Sequence, residues 1–164
     1  MSGVSKSHHM MGWRLGWMTG PVDVIDGLKP LTQHLITSAS TLSQRAATAS
    51  LASHDASMVS TLAVFEQRRT MANAAIAKMP GVHVAQGQGA FYLFLDVSGV
   101  LSHIKTSLDL ALHILQDVDV ITIPGSGFGA CGEGFLRLAY TVDDAVLSEA
   151  LARLHDCFER LCAR

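Results

Sequence analysis

Residues 135–140 read FLRLAY, a short run in which apolar residues surround one arginine. Side chains alternate between the two faces of a strand, so Arg137 shares a face with Phe135 and Ala139 while the leucines face the other way. This pattern predicts a strand. An arginine in such a strand either faces solvent from a sheet edge or binds a carboxylate, which its forked guanidinium suits. The pattern alone leaves both interpretations open.

The segments on either side of this run alternate between strand and helix patterns. Alternating or continuous apolar runs and apolar spacings of three and four predict strands at residues 82–85, 90–97 and 118–123, and helices at residues 108–116 and 144–161. A glycine cluster at residues 125–134 contains a formal GxGxxG. A dinucleotide site requires a helix after this motif. Because a strand pattern follows instead, we interpret the cluster as a loop between two strands.

The first part of the chain has a helical pattern. Residues 22–36 carry apolar residues at helical spacing, with Pro30 as the expected kink or break. Residues 37–53 continue as a weaker helix, whose small polar residues fit a subunit interface or a solvated surface about equally well. A longer helix is predicted to run from Asp55, as its N-terminal cap, to Met79. The chain is therefore expected to be helix-rich first and α+β afterwards.

The composition restricts the class of protein. Of the 164 residues, 49% are hydrophobic and 16% are charged, and the net charge is −2. The scattered basic residues do not form the positive face that binding of a nucleic acid requires. No apolar run reaches the roughly 18 residues of a membrane helix. We expect a protein with an aliphatic core that binds neither nucleic acid nor membrane.

Cysteines and histidines show no metal-ligand pattern along the sequence. Cys131, Cys157 and Cys162 are an odd number of cysteines without a CxxC pair, which argues against a disulfide framework or a zinc site. His8 and His9 point in opposite directions on an extended backbone, and no third ligand follows at a suitable spacing. We expect no metal, buried or free thiols, and a reducing cytoplasm.

A stretch with two cations lies near the start of the chain, where residues 3–16 read GVSKSHHMMGWRLG. Taken alone, Lys6 and Arg14 are ordinary surface cations among glycines. The whole string, however, closely resembles the lysine segment of class I/II aminotransferases, the fold-type I enzymes that depend on pyridoxal phosphate. The resemblance includes the spacing of eight from Lys6 to Arg14 and the turn at Gly20-Pro21.

Three further segments resemble the same family, in the same order along the chain. Residues 89–96 (GAFYLFLD) are similar to its small-domain strand, and residues 120–129 (VITIPGSGFG) to its loop near the substrate. Residues 134–140 are similar to the strand with its carboxylate-binding arginine. On these four motifs the chain is identified as a member of the family, similar to its aspartate and aromatic aminotransferase branch.

The resemblance implies a role for each of three cations. Lys6 matches the lysine that forms a Schiff base with pyridoxal phosphate and then moves a proton between substrate and cofactor. Arg14 matches the arginine that holds the cofactor phosphate, and Arg137 the one that holds the substrate α-carboxylate. The implied activity moves an amino group between an amino acid and a 2-oxo acid. Elimination and cyclopropane-forming reactions on the same fold use the same residues and stay open as alternatives.

The resemblance also implies an α/β fold divided into two domains. Residues 1–70 correspond to the end of the large cofactor-binding domain plus a connecting helix, and residues 71–164 to the small α+β domain. Because the chain starts five residues before Lys6, the large-domain sheet would be incomplete and the residues that hold the cofactor ring would precede it. We expect a C-terminal fragment of a homodimeric parent, with a truncated or pseudogene product without activity as the alternative.

Three positions depart from the family pattern around the lysine. Gly3 stands where many relatives carry a phosphate-binding hydroxyl, His9 where a small residue is usual, and Met11 where threonine is common. The hydroxyls of Ser2 and Ser5 are the nearest substitutes for the missing one. Neither serine is assigned that role.

Overall fold

A computed structural model describes residues 1–53, 56–101 and 104–163 of the chain. The chain forms two compact units, Met1–Thr61 and Leu62–Arg164. Helix α4 (Ala56–Ile76) begins in the first unit and ends in the second. It ends before the predicted Met79, and its predicted cap at Asp55 lies outside the described residues.

The first unit contains a two-stranded ribbon at its N-terminal end. Strand β1 (Ser2–Gly3) pairs antiparallel with β2 (Gly16–Trp17), and the one-turn helix α1 (Val4–Ser7) follows β1 directly. A small buried cluster in this unit consists of Val4, Met10 and Ala47.

Helices α2 (Val22–Ile36) and α3 (Thr41–Ala52) form much of the rest of the first unit. Pro30 lies inside α2, so the helix is not broken there as one interpretation expected. Proline removes the hydrogen bond to the carbonyl of Asp26. Both residues are exposed, so water can satisfy that carbonyl. Within the described ranges, no helix is both long enough and apolar enough to cross a bilayer.

The second unit contains a four-stranded antiparallel sheet with the strand order β3-β4-β6-β5. Its strands are β3 (His83–Val84), β4 (Tyr92–Asp96), β5 (Ile123–Pro124) and β6 (Phe135–Ala139). Strand β6, predicted from FLRLAY, therefore lies between two partners. The interpretation of Arg137 as a residue of an edge strand is wrong.

Leucines of β4 and β6 lie at the centre of the core in this unit. Leu93 pairs with Leu138 and Leu95 with Leu136, and none of the four is more than 4% exposed. The intervening residues face the other side of the sheet, which confirms the alternation predicted for FLRLAY. Buried residues from three helices complete this core: Ala72, Ile76, Leu110, Ile114, Leu147, Leu151, Leu154 and Phe158.

Helix α5 (Ser107–Val118) is longer than predicted, whereas α6 (Asp144–Cys162) agrees with its prediction to within one residue. Helix α5 ends at Val118, and the next residue, Asp119, has a left-handed backbone with φ 57°, a conformation that aspartate tolerates. The predicted strand at residues 118–123 is largely wrong, because residue 118 still belongs to α5. Only Ile123 and Pro124 pair with β6.

Candidate cofactor and carboxylate sites

The β1–β2 ribbon holds two of the candidate cations in one loop. Pairing of the two strands brackets residues 4–15, here called the lysine loop. Lys6 is exposed in α1, and Arg14 is exposed at the other end of the loop, just before β2. An amine and a guanidinium are thus carried by a single closed loop, a donor set that suits one carbonyl and one oxyanion.

Two residues of the lysine loop have a left-handed backbone. His9 has φ 54° and Arg14 has φ 52°. For residues other than glycine this conformation costs on the order of 1–3 kcal/mol, and it is concentrated at functional sites. The Nη1 group of Arg14 donates a hydrogen bond to the carbonyl of Met11 at 3.0 Å. This bond orients the guanidinium within its own turn.

Close backbone contact explains the glycine at position 3. A Cβ on Gly3 would lie 3.0 Å from the carbonyl oxygen of Leu15 and 3.2 Å from the Cα of Gly16. A Cβ on Gly16 would lie 3.0 Å from the carbonyl oxygen of Ser2. These separations are shorter than an optimal contact of about 3.5–4.0 Å. A side chain with a hydroxyl at position 3 would therefore require the facing backbone of β2 to shift by a few tenths of an ångström.

Arg137 lies on the face of the sheet opposite the leucines, among aromatic rings. Its guanidinium carbon is 4.3 Å from the ring centroid of Tyr92 and 4.9 Å from that of Phe128. Phe94, which pairs with Arg137 across the strands, stacks on Phe135 with the ring centroids 4.9 Å apart. These five residues are called the Arg137 face below.

The guanidinium of Arg137 is held by rings and not by an acidic partner. Arg137 is half-buried, and none of the described carboxylates lies within 4.0 Å of it. Each cation–π contact contributes on the order of 0.5–2 kcal/mol, depending on its exposure. Contact with two rings fixes the plane of the guanidinium, and its N–H groups suit a bidentate carboxylate.

The glycine cluster before β6 is attached to α5 by Glu133. The carboxylate accepts hydrogen bonds from the backbone N–H of Ser107 at 2.6 Å and from the Ser107 hydroxyl at 3.1 Å. Ser107 is fully buried at the start of α5, so Glu133 satisfies an N-terminal donor of that helix. The cluster itself forms two 3-10 turns, Gly125–Phe128 and Ala130–Gly132, in agreement with its interpretation as a loop. This loop carries one ring of the Arg137 face.

We expect the variant Glu133→Gln to lose less stability than the wild-type chain as the pH falls. The hydrogen bond from the Ser107 backbone lowers the pKa of the Glu133 carboxyl, so folding favours its charged form. The stabilisation is complete above the ordinary pKa of glutamate, about 4.3. It is lost as the pH falls through the lowered pKa of the folded chain.

Urea denaturation at pH values between about 3 and 7 measures this effect. Glu149→Gln is the control, because Glu149 forms an exposed pair with Arg153 and such pairs contribute little. If wild type and Glu133→Gln lose stability in parallel on acidification, the role given to Glu133 is wrong.

The structure places two of the three predicted site residues in the same loop. Lys6 and Arg14 share the lysine loop of the first unit, and Arg137 lies in the sheet of the second. The sequence did not identify the rings of Tyr92 and Phe128 as neighbours of Arg137. The alternation of residues in β4 was a signal that could have placed Tyr92 on one face of its strand with Phe94. No local pattern links Phe128 to β6.

Comparison with known proteins places this α/β fold in the transferase class. The family model for aminotransferase class I and II matches residues 1–154. The chain belongs to this family.

Named relatives agree with this membership. An aspartate/prephenate aminotransferase from Nitrosomonas europaea is 32% identical over 162 residues, which are 94% of this chain and 40% of the relative. An aspartate aminotransferase from Geobacillus stearothermophilus is 32% identical over 161 residues, which are 97% of this chain and 40% of the relative. The chain thus spans about 40% of the length of these relatives.

Solved structures share the α/β fold. The aspartate aminotransferase from Rhizobium meliloti superposes with a TM-score of 0.87 at 31% identity, over 96% of this chain and 41% of that protein. The alanine aminotransferase from Pyrococcus furiosus gives a TM-score of 0.87 at 26% identity, over the same shares. The predicted fold class is confirmed.

Proposed function

We propose that the chain contributes Lys6, Arg14 and Arg137 to an aminotransferase that moves an amino group between an amino acid and a 2-oxo acid. The observation that carries the proposal is the lysine loop, in which one amine and one guanidinium are held by a single ribbon. Membership of the aminotransferase family supports it. The domain division at residues 70 and 71 is part of the same proposal.

The amine and the guanidinium of the lysine loop suit two groups of pyridoxal phosphate. The cofactor has an aldehyde, which reacts with an amine, and a phosphate, which a guanidinium binds. When bound, it supplies the electron sink that this reaction requires. Lys6 would hold the aldehyde carbon and Arg14 the phosphate. The ordering of Arg14 by Met11 supports this assignment, because a preoriented guanidinium loses less freedom on binding.

Lys6 has two tasks in this proposal, and Arg137 has one. The Nζ atom of Lys6 would hold the cofactor and, when free, would act as the base that moves the proton of the substrate Cα. Arg137 binds the α-carboxylate through its N–H groups, while Tyr92 and Phe128 keep its plane fixed.

Exposed apolar side chains of the first unit support a homodimer as the partner arrangement. In α2, Val22 is 75% and Leu35 72% exposed, and in α3 Leu42 is 74% exposed. Helix α2 has no buried residue along its length. Apolar surface of this kind is typical of association sites. A cytoplasmic location belongs to the same proposal.

Two alternatives concern the reaction and not the fold. An elimination or synthase reaction would use the same three cations, and a chain without activity of its own would use none. Amino donors and 2-oxo acids tested in pairs separate transfer from elimination, since only transfer depends on both substrates. The next experiment separates a functional lysine from an inert one.

Borohydride trapping tests the role of Lys6. The chain is incubated with pyridoxal phosphate and reduced, which makes an amine–aldehyde linkage permanent, and peptide mass mapping then locates the adduct. We expect the adduct at Lys6, its loss in Lys6→Ala, and a weaker yield in Arg14→Gln. Lys29→Ala is the control, because Lys29 is exposed on α2 and pairs with Asp26. Labelling spread evenly over all the lysines would contradict the proposal.

A further inference from the structure

Three side chains with metal-ligating atoms meet where the end of α5 faces α6. His113 and Asp117 lie one turn apart on α5, and Cys157 lies on α6. The nitrogen, oxygen and sulfur atoms that they offer all lie within 4.8 Å of one another. None of the three belongs to the lysine loop or to the Arg137 face.

The three side chains of the cluster differ in burial. Cys157 is fully buried, His113 is half-buried and the side chain of Asp117 is 35% exposed. Arg160 of α6 pairs with Asp117. Asp117 also adds negative charge to the last turn of α5, and the C-terminal end of a helix favours a cation.

We propose that His113, Asp117 and Cys157 bind one zinc ion, with a water molecule in the fourth position. Imidazole, carboxylate and thiolate are the ligands that zinc takes in proteins, and three protein ligands plus one water form an open tetrahedral site. Bonds of about 2.0–2.3 Å place such ligand atoms roughly 3.5 Å apart. The ligand atoms of the metal-free cluster lie within 4.8 Å of one another, so zinc binding requires rotation of the side chains to draw them closer.

Binding exchanges one proton for one zinc ion and involves no oxidation. Bonds form from zinc to the sulfur of Cys157, a ring nitrogen of His113 and an oxygen of Asp117. The S–H bond breaks, and its proton leaves to solvent. Burial raises the pKa of the Cys157 thiol to about 11, so this thiol carries its proton in the metal-free chain.

Arg160 distinguishes a zinc site from simple packing. The guanidinium of Arg160 pairs with the Asp117 carboxylate. Its positive charge opposes the binding of a second cation there. If the cluster binds zinc, Arg160→Gln raises the affinity by removing the competitor. If the three side chains are only packing partners, no variant of Arg160 creates binding.

Cobalt is the spectroscopic probe for this site, because a thiolate bound to Co²⁺ gives a charge-transfer band in the near ultraviolet. The full chain is prepared as Cys131→Ser/Cys162→Ser, so that Cys157 is its only thiol. Titration with Co²⁺ is expected to produce the band, and Zn²⁺ to displace it. Cys157→Ser should abolish the band, and His113→Ala should weaken cobalt binding at least about tenfold.

His155→Ala is the matched control, because His155 lies on α6 in an exposed group with Asp156 and Glu159. It should leave the cobalt affinity unchanged, and Arg160→Gln should increase it severalfold. Circular dichroism verifies the fold of each variant, and the changes at His113 and Arg160 keep the test valid if Cys157→Ser unfolds. Absence of the band, or equal affinity in His113→Ala and the parent, overturns the proposal.

Discussion

Replacement of Gly132 by alanine is expected to destabilise the second unit by about 3 kcal/mol or more, the upper part of the range for overpacked sites. A Cβ at this position would overlap the carbonyl oxygen of Gly125 and approach its carbonyl carbon to 2.6 Å. Both atoms belong to the backbone, so no side-chain rotation relieves the overlap. The two 3-10 turns before β6 would have to separate.

Gly127→Ala is the matched control for this prediction. It lies in the same loop, and a Cβ there would meet no atom within 4 Å. Alanine also loses less conformational entropy on folding than glycine, so the change should be neutral or slightly stabilising. Urea denaturation followed by circular dichroism gives the free energy of unfolding of each variant. Equal free energies of unfolding for Gly132→Ala and Gly127→Ala would show that the turns do not depend on the close approach of Gly132 to Gly125.

The second large effect concerns carboxylate binding by Arg137. Arg137→Gln is expected to lower the affinity for a 2-oxo monocarboxylate such as pyruvate at least about thirtyfold. That factor corresponds to the roughly 2 kcal/mol or more lost with one partner of a hydrogen-bonded charge pair. Arg137→Lys keeps the charge but loses the planar fork and its stacking on rings, so it should recover only part of the affinity.

Ring resonances report this binding directly. The guanidinium contacts Tyr92 and Phe128, so a carboxylate that binds Arg137 should shift their NMR signals in proportion to occupancy. Arg153→Gln is the control, since Arg153 pairs with Glu149 on α6 and lies outside the Arg137 face. If pyruvate shifts the rings equally in Arg137→Gln and in wild type, Arg137 is not the carboxylate site.

Local patterns predicted β4, β6 and α6 well, because their stabilising contacts follow from alternation or helical spacing within one segment. The same reasoning failed for residues 118–123, where the apolar alternation of VDVITI suggested a longer strand. Helix α5 includes Val118 and turns at Asp119, and of this run only Ile123 pairs with β6. The sequence could not specify how far the neighbouring helix would extend.

The sequence by itself determined which residues of FLRLAY share a face with Arg137, since a period of two needs no partner to be read. It also indicated the family through four ordered motifs. Only the tertiary structure decided that β6 lies inside the sheet and that Phe128, from a preceding loop, covers Arg137.

The cluster at α5 and α6 shows the same limit most clearly. No metal-ligand spacing exists along the chain, because Cys157 is far in sequence from His113 and Asp117. Packing of two helices brings the three ligand atoms within 4.8 Å. Contacts between distant segments depend on how the whole core packs, and a local pattern contains no information about that packing.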